Sequence, residues 1–418
     1  MAAMDRREFL KLAGMAAGAA AVYTFWPGGA LSAEGAGAPK PVLAASAVDK
    51  PTFAAPAIVK SGNPVPFTKA GSGGTAIESL WLQPAGKTDV IALAETVAGG
   101  AAALAPAGTA PAAGMYDLFA KVTARDGARI ERQPLAVKFV DEFKKDFVFG
   151  VIGDVHFGDP RVKAKLPDFD TAKFLKKEID ILNGRGAEFC LACGDFCFTP
   201  PETKNEILDY VETVAAEAKF PTFSVPGNHD GYTTGAPRKI SFDTMKYWTR
   251  YFGTPYYDAS YGDIEIIGIN TYDKDALERN LYGGMGDKVD CGAMSPAQLA
   301  WLESVLKKAR AKPDRAIIIL GHQNPTNTVV DVNGPFVVKP FSDEGRRELL
   351  DLIVKYEPDA MFVGHVHGVH EEILGKTKII TTPATGSIPF ENQALGFLIV
   401  TVKNGKIASY ETIVTARV

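Results

Sequence analysis

The chain has 418 residues, an apolar fraction of 46% and four cysteines. That is length for two or three domains and apolar material for a large core without a disulfide framework. A formal net charge of −4, from 45 basic and 49 acidic side chains, leaves no basic surplus to match a phosphate backbone, so nucleic acid is excluded as the expected partner.

The first stretch, 1–35, reads as an export signal peptide. Arg6 and Arg7 precede a short Ala/Gly-rich apolar run, and "RREFLK" resembles the twin-arginine signal, with Asp5 where Ser or Thr is usual. Cleavage is expected near "ALSAEG" by the small-residue rule. The run is weaker than the about 20 strongly apolar residues that span a bilayer, so no membrane span is expected after signal removal. An uncleaved signal acting as a membrane tether is the alternative. The resemblance implies twin-arginine export machinery as a partner, export of a folded, metal-loaded protein, and a periplasmic or extracellular location.

A small all-β sandwich domain is expected over 46–143. In "MYDLFAKVTARDGARIERQPLAVKFV" the residues Tyr116, Leu118, Ala120 and Val122 line one face, Asp126-Gly127 makes a turn, and Leu135, Val137 and Phe139 resume the alternation. With "ESLWLQP" and "DVIALAE" before it, this reads as an immunoglobulin or fibronectin type of sandwich. It carries no polar constellation and is read as a packing or spacer module.

From residue 147 to the end the period changes to buried apolar strands separated by helices, an α/β layered domain. The strands are "FVFGVIGD", "EFCLACGD", "TFSVPGNHD", "IEIIGIN", "RAIIILGH" and "AMFVGHVH", and between them "FLKKEIDILNG", "EILDYVETVAAEAK", "SPAQLAWLESVLKKARAK" and "DEGRRELLDLIVKY" have helical spacing. Ser295 is the expected N-cap before Pro296. Cys190 and Cys193 are read as small hydrophobes in a buried strand, since no second C-x-x-C completes a zinc site. Ligands collect beyond the carboxyl ends of strands in such sheets. Five of these strand ends therefore aim polar side chains at one place.

The chain has six histidines, and five lie at those ends: His156 in "GDVH", His229 in "GNHD", His322 in "GH", His365 and His367 in "GHVH". Only His370 stands apart. Gly, Asn and Asp are ordinary turn residues, but imidazoles gathered with Asp154, Asp195, Asn228 and Asp230 form a donor set for Zn, Mn or Fe rather than Ca or Mg.

The order Asp-x-His, Gly-Asp, Gly-Asn-His-Asp, His, Gly-His-x-His resembles the calcineurin-like metallophosphoesterase family, from 147 to the last strands. The resemblance implies a four-layer α/β/β/α sandwich, two mixed sheets flanked by helices, and two divalent or mixed-valence metal ions. By it, Asp154, His156, Asp195 and His367 hold one ion, while Asn228, His322 and His365 hold the other with Asp195 as the bridge. His229 is the implied general acid and Asp230 the residue that orients or polarises it. The implied activity is hydrolysis of small-molecule phosphate mono- or diesters by in-line attack of a metal-bridging hydroxide. Purple acid phosphatases carry Tyr three residues after the bridging Asp; here Phe198 stands there, so no ferric-phenolate centre is expected. The reading from another class is a metal-binding surface or interaction module on a non-catalytic phosphoesterase scaffold. The long segments 271–294 and 323–341 read as lids. In them Arg279, Lys288 and Lys339 are the residues able to meet a second phosphate, with a solvated loop charge as the simpler reading of each.

Overall fold

A computed structural model describes residues 40–417 except 72–74, 126, 237, 283–288, 313, 330–339 and 390–392. The expected signal over 1–35, the turn residue Asp126, and Lys288 and Lys339 lie outside the described residues.

Phe147–Ile152 is apolar without interruption because it is central in a five-stranded sheet. Cys190–Ala192 and then Thr222–Ser224 run parallel on one side; antiparallel Ala394–Lys403 and Lys406–Arg417 complete the other. A six-stranded sheet has the order Tyr257–Tyr261, Ile264–Gly268, Ala316–Leu320, Ala360–Val363, Thr377–Thr381, His370–Leu374. Its inner four strands are parallel and its two edges antiparallel.

Alternation along these strands sends side chains to opposite faces. Phe149, Val151, Ile266, Ile318, Leu320 and Phe362 fill the space between the two sheets. The intervening Ile317, Ile319 and Met361 pack on Leu302, Leu306, Leu349 and Ile353 of helices Pro296–Arg310 and Arg346–Tyr356. On the far side Ile152 and Ala192 meet Leu175, Ile179, Ile207 and Val211 of helices Thr171–Arg185 and Thr203–Glu217. The layers are therefore α/β/β/α, as the family resemblance implied. Ser295 caps its helix, its hydroxyl accepting from Gln298 N at 3.3 Å ahead of Pro296. The short helix Met245–Phe252, absent from the sequence expectations, buries Trp248 and Phe252 in the same core as the first pair of helices.

The N-terminal region is strand-rich, and the expected hairpin forms between Gly114–Ala124 and Gly127–Val140. Eight strands bond as one sheet, and Val48–Lys50 pairs separately with Thr68–Lys69. Ala57–Lys60 pairs with the strand Gly127–Val140 at one end of the sheet, and Val65–Pro66 pairs with Ala101–Pro106 at the other. Only residues 61–64 join those two ends, so the sheet must curl until its edges meet. Its inner side shares one core containing Leu80, Leu82, Leu104, Leu118, Val122 and Phe139. The small β unit is there, but as one curled sheet with a two-stranded ribbon rather than two separately bonded sheets of an immunoglobulin type. Alternation marks a strand's buried face and says nothing of which strand it pairs with.

This unit packs onto the α/β layers through a β-bulge after Gln133, where Leu135 takes φ 52°. Gln133 is buried, yet every polar atom is used: Nε2 donates to Ala44 O and Tyr251 O, each at 2.7 Å, and Oε1 accepts from Phe53 N at 2.8 Å. Next to it, Ala54 O accepts from Ser224 N at 2.8 Å, bracing the strand that leads to Asn228.

Candidate metal centre

Five expected donors follow a glycine directly: Asp154, Asp195, Asn228, His322 and His365. The glycines are required by crowding. A Cβ on Gly153 would meet Thr382 Cγ2 at 2.8 Å, one on Gly194 would meet Gly227 N at 2.6 Å, and one on Gly364 would meet Asp154 Oδ2 at 2.8 Å. Asp154, His156, Asp195, His365 and His367 all have left-handed backbone, with φ of 50°, 46°, 57°, 68° and 60°. Non-glycine residues rarely take that region, and clusters of it mark functional sites. The conformation ends each strand abruptly and lets neighbouring loops lace together: Asp154 N donates to Gly194 O and His156 N to Asp195 O, both at 3.0 Å.

The loops gather donors into overlapping groups, Asp154–His156–His367, Asp195–His322–His365 and His156–Asp195–His229, each with ligand atoms within 4.8 Å of one another. His367 Nε2 lies 3.4 Å from Asp154 Oδ1. Asp195 Oδ2 lies 3.4 Å from His156 Nε2 and 3.2 Å from His322 Nε2. Asn228 Oδ1 is 3.1 Å from His322 Nε2. The structure thus brings together every residue expected to hold metal, and His229, whose ring centroid is 4.5 Å from that of His156.

Carbonyl oxygens fix the imidazoles. His322 Nδ1 lies 2.6 Å from Cys193 O, His367 Nδ1 2.8 Å from Ile388 O, and His229 Nδ1 2.6 Å from Phe198 O. Each contact spends Nδ1 as the donor and leaves Nε2 with its lone pair, the usual preparation of a metal-binding histidine. Among the described residues, both ring nitrogens of His156 are buried without a hydrogen-bond partner. Such a group costs about 1–3 kcal/mol unless something binds it. With the mixed imidazole, carboxylate and amide donors, it fits a transition-metal ligand.

Electrostatics follow from burial and proximity. Burial pushes the Asp154 and Asp195 carboxyls up, but His367 and His322 among their neighbours reverse this and hold both below the ordinary range. Burial draws His229 down to about 3 and His365 to about 4. For His322 burial is outweighed by Asp195, and its proton affinity rises to about 9; His367 rises likewise against burial through Asp154. These carboxylates would hold cations where they hold protons on imidazole, so metal binding and protonation compete.

Two expectations need correction. Asp230 does not sit against the His229 ring: its Oδ1 accepts from Phe196 N and Cys197 N at 3.0 and 3.1 Å, its Oδ2 from Asp195 N and Gly227 N at 2.9 Å each. It ties two metal loops together, and the Phe198 carbonyl takes the orienting position beside His229. Arg279 is neither a phosphate-binding residue nor a solvated charge. It is buried, pairs with Asp243 at 2.8 Å and donates to Gly231 O.

Phe198, expected for its missing phenol, lines the site with its ring 5.9 Å from His156. His370 starts the edge strand His370–Leu374, outside the donor groups. All four cysteines are buried, in line with the strand reading of Cys190 and Cys193. Sequence reasoning missed Tyr232 and Gln323, which the structure puts on Asn228. Asn228 Nδ2 donates to Tyr232 OH at 2.7 Å, Tyr232 OH donates to Asp290 Oδ1 at 2.6 Å, and Gln323 Nε2 donates to Asn228 Oδ1 at 3.2 Å. These contacts turn the amide oxygen of Asn228 toward His322. Tyr232 is only four residues beyond Asn228, but nothing in "GNHDGY" signals the contact.

No curated protein matches the chain. Among solved structures, a purple acid phosphatase from yellow lupin (Lupinus luteus) seeds is 13% identical with a TM-score of 0.49, covering 85% of this chain and 73% of that one. A dimetal phosphatase from Danio rerio is 15% identical with a TM-score of 0.46, over 65% of this chain and 100% of the other. PhoD is 11% identical with a TM-score of 0.45, over 86% and 84%. The calcineurin-like phosphoesterase family matches residues 147–369. That match takes in more than half of the chain and runs from the first strand of the α/β layers through His367, and the chain belongs to the calcineurin-like phosphoesterase family.

Proposed function

We propose that this protein is an exported, dinuclear metal-dependent hydrolase of small-molecule phosphate esters. Asp154, His156, Asp195 and His367 hold one ion in this reading, and Asn228, His322 and His365 hold the other, with Asp195 shared. The observation that carries it is Asp195 Oδ2, within 3.4 Å of His156 and 3.2 Å of His322, imidazoles of two otherwise separate donor groups. Two such ions, of Mn, Fe or Zn, supply Lewis-acid charge to phosphoryl oxygens and lower the pKa of a bound water.

The chain's own residues supply orientation and a proton. His229 keeps Nδ1 on Phe198 O, leaving Nε2 as the nitrogen that exchanges a proton with a leaving alcohol. Burial keeps the ring neutral near pH 7, so an anionic ester must raise its proton affinity on binding. Export over 1–35 and a periplasmic or extracellular location are supported by the twin-arginine pattern. Residues 46–143 are taken as the packing module and 147–418 as the catalytic unit.

The test is metal content together with turnover. Wild type should hold two ions per chain and hydrolyse nitrophenyl phosphate or its bis-ester, and Asp195→Asn should lose both ions' occupancy and nearly all turnover. A variant that keeps both ions and its rate removes the bridge. The relative kcat/KM on the two esters decides between monoester and diester.

A further inference from the structure

Arg161 belongs to no ligand group, yet it is built into the wall beside the site. Asp159 grips it: Nε lies 2.9 and 3.1 Å from the two carboxylate oxygens and Nη2 lies 2.8 Å from Oδ2. Asp159 also accepts Arg161 N at 2.8 Å, and Ser387 Oγ donates to Asp159 Oδ2 at 2.9 Å. Nη2 reaches Ser387 Oγ at 3.2 Å. The guanidinium carbon stands 4.8 Å from the Phe198 ring centre, and Phe198 stacks on His229 at 5.5 Å.

The position links both ends of the catalytic arrangement. Ser387 adjoins Ile388, whose carbonyl fixes His367, and Phe198 supplies the carbonyl that fixes His229. The Asp159 side chain is fully buried, whereas 36% of the Arg161 side chain is exposed. Among the described residues, Nη1 takes no hydrogen-bond partner. A guanidinium held rigid on two of its nitrogens, with the third unpaired at a partly open position, is prepared to take an oxyanion.

We propose that Arg161 is a specificity-determining residue that receives a second anionic group, a phosphate or carboxylate, carried on the leaving-group side of the phosphoester. The side is set by the stack, because Arg161 lies one aromatic ring beyond His229. This inference rests on the hydrolase reading and on His229 as the group facing the leaving alcohol.

The test uses the metal-loaded full chain and compares phenyl phosphate with 4-carboxyphenyl phosphate. Removing Arg161 alone would strand the buried Asp159 charge, so the variant is Asp159→Asn with Arg161→Met, and Arg161→Lys keeps the charge without the fork. The double variant should lose about 10–100-fold more kcat/KM on the carboxylated ester than on the plain one, mostly in KM, with the lysine variant between. Calorimetry with inorganic pyrophosphate and inorganic phosphate is the second arm: wild type should prefer pyrophosphate, and the double variant should lose that preference. Equal losses on both esters with an unchanged pyrophosphate preference overturn the assignment. Absence of ester turnover in wild type would sink the hydrolase reading, and the calorimetric arm would still decide Arg161.

Discussion

Asp230→Asn separates a residue that ties loops from one that tunes a general acid. Each carboxylate oxygen of Asp230 accepts two backbone amides, from Phe196 and Cys197 on one side and from Asp195 and Gly227 on the other. An asparagine in the same place can serve only one of those pairs. Its NH₂ must face the other pair, donor against donor, whichever way the amide is turned. Two stranded amides at about 1–3 kcal/mol each give a loss of roughly 2–6 kcal/mol. Set against total stabilities of about 5–15 kcal/mol, that is a large fraction. At about 2–4 °C per kcal/mol for a unit of this size, the melting temperature should fall by roughly 5–20 °C. Asp195 is among the displaced residues, so metal affinity should fall as well. Calorimetric melting and metal analysis of the purified variant measure both. A variant with wild-type melting and metal content, but with a rate loss confined to esters of poor leaving groups, would refute the loop-tying role and restore Asp230 as the partner of His229.

Other perturbations follow from the same geometry. In Gly227→Ala the new Cβ would stand 2.6 Å from Asp195 N and collide with Asp195 Oδ1; overpacking of this kind costs about 1–3 kcal/mol, and metal analysis should show reduced occupancy where a tolerant loop would show none. Glu178 is fully buried on Thr385 and Thr415, and burial raises its carboxyl from 4.5 to about 8. The folded state therefore keeps a proton that the unfolded chain gives up: stability is full below pH 4.5, declines between pH 4.5 and 8, and levels off above. At about 1.4 kcal/mol per pH unit the decline is on the order of 5 kcal/mol, and Glu178→Gln should abolish it in denaturant titrations at pH 5 and pH 8; an unchanged pH slope would mean that Glu178 ionises freely in the fold. His229→Ala should keep its metal and lose about 10²–10⁴-fold on alkyl esters but far less on nitrophenyl esters; metal loss would make His229 a ligand, and equal losses would end its role as acid.

What could be read from the sequence divides along a physical line. The gathering of the candidate donors was legible because histidine is rare in this chain and five of its six copies sit at strand ends, which converge in such sheets. The α/β/β/α layers were legible because continuous apolar runs and helical spacing alternate. The curl of the N-terminal sheet was not, since the pairing of Val65–Pro66 with Ala101–Pro106 depends on closure at long range. Asp230 and Arg279 were misread for a common reason. In sequence both look like free charges beside a site, yet each is buried and used up by backbone or an ion pair, and burial of a lone polar residue leaves no local trace. Arg161 escaped because its meaning lies in Asp159, Ser387 and Phe198 together, three segments apart in the chain.

The left-handed candidate donors show where the fold stores the cost of its site. At roughly 1 kcal/mol or more for each non-glycine residue in that region, five of them oppose folding by roughly 5 kcal/mol. Aspartate tolerates the conformation better than most residues, and histidine is also enriched there, but no local interaction removes the cost. The compensation is assembled nearby: Asp230 collects four amides from the second and third loops, and Gly194 and Gly227 let those loops pass at backbone distance. Gly386 N and Thr385 N tie the first loop to the segment over Glu178 through Asp154 O and Gly153 O. Groups outside the donor set, most of them backbone, thus hold the candidate donors in place. Substitutions at Asp230, Gly227 or Gly386 should therefore resemble loss of a donor, whereas His156, His365 or His367 replaced by glycine should relieve strain at its own backbone, since only a residue without Cβ takes that region freely.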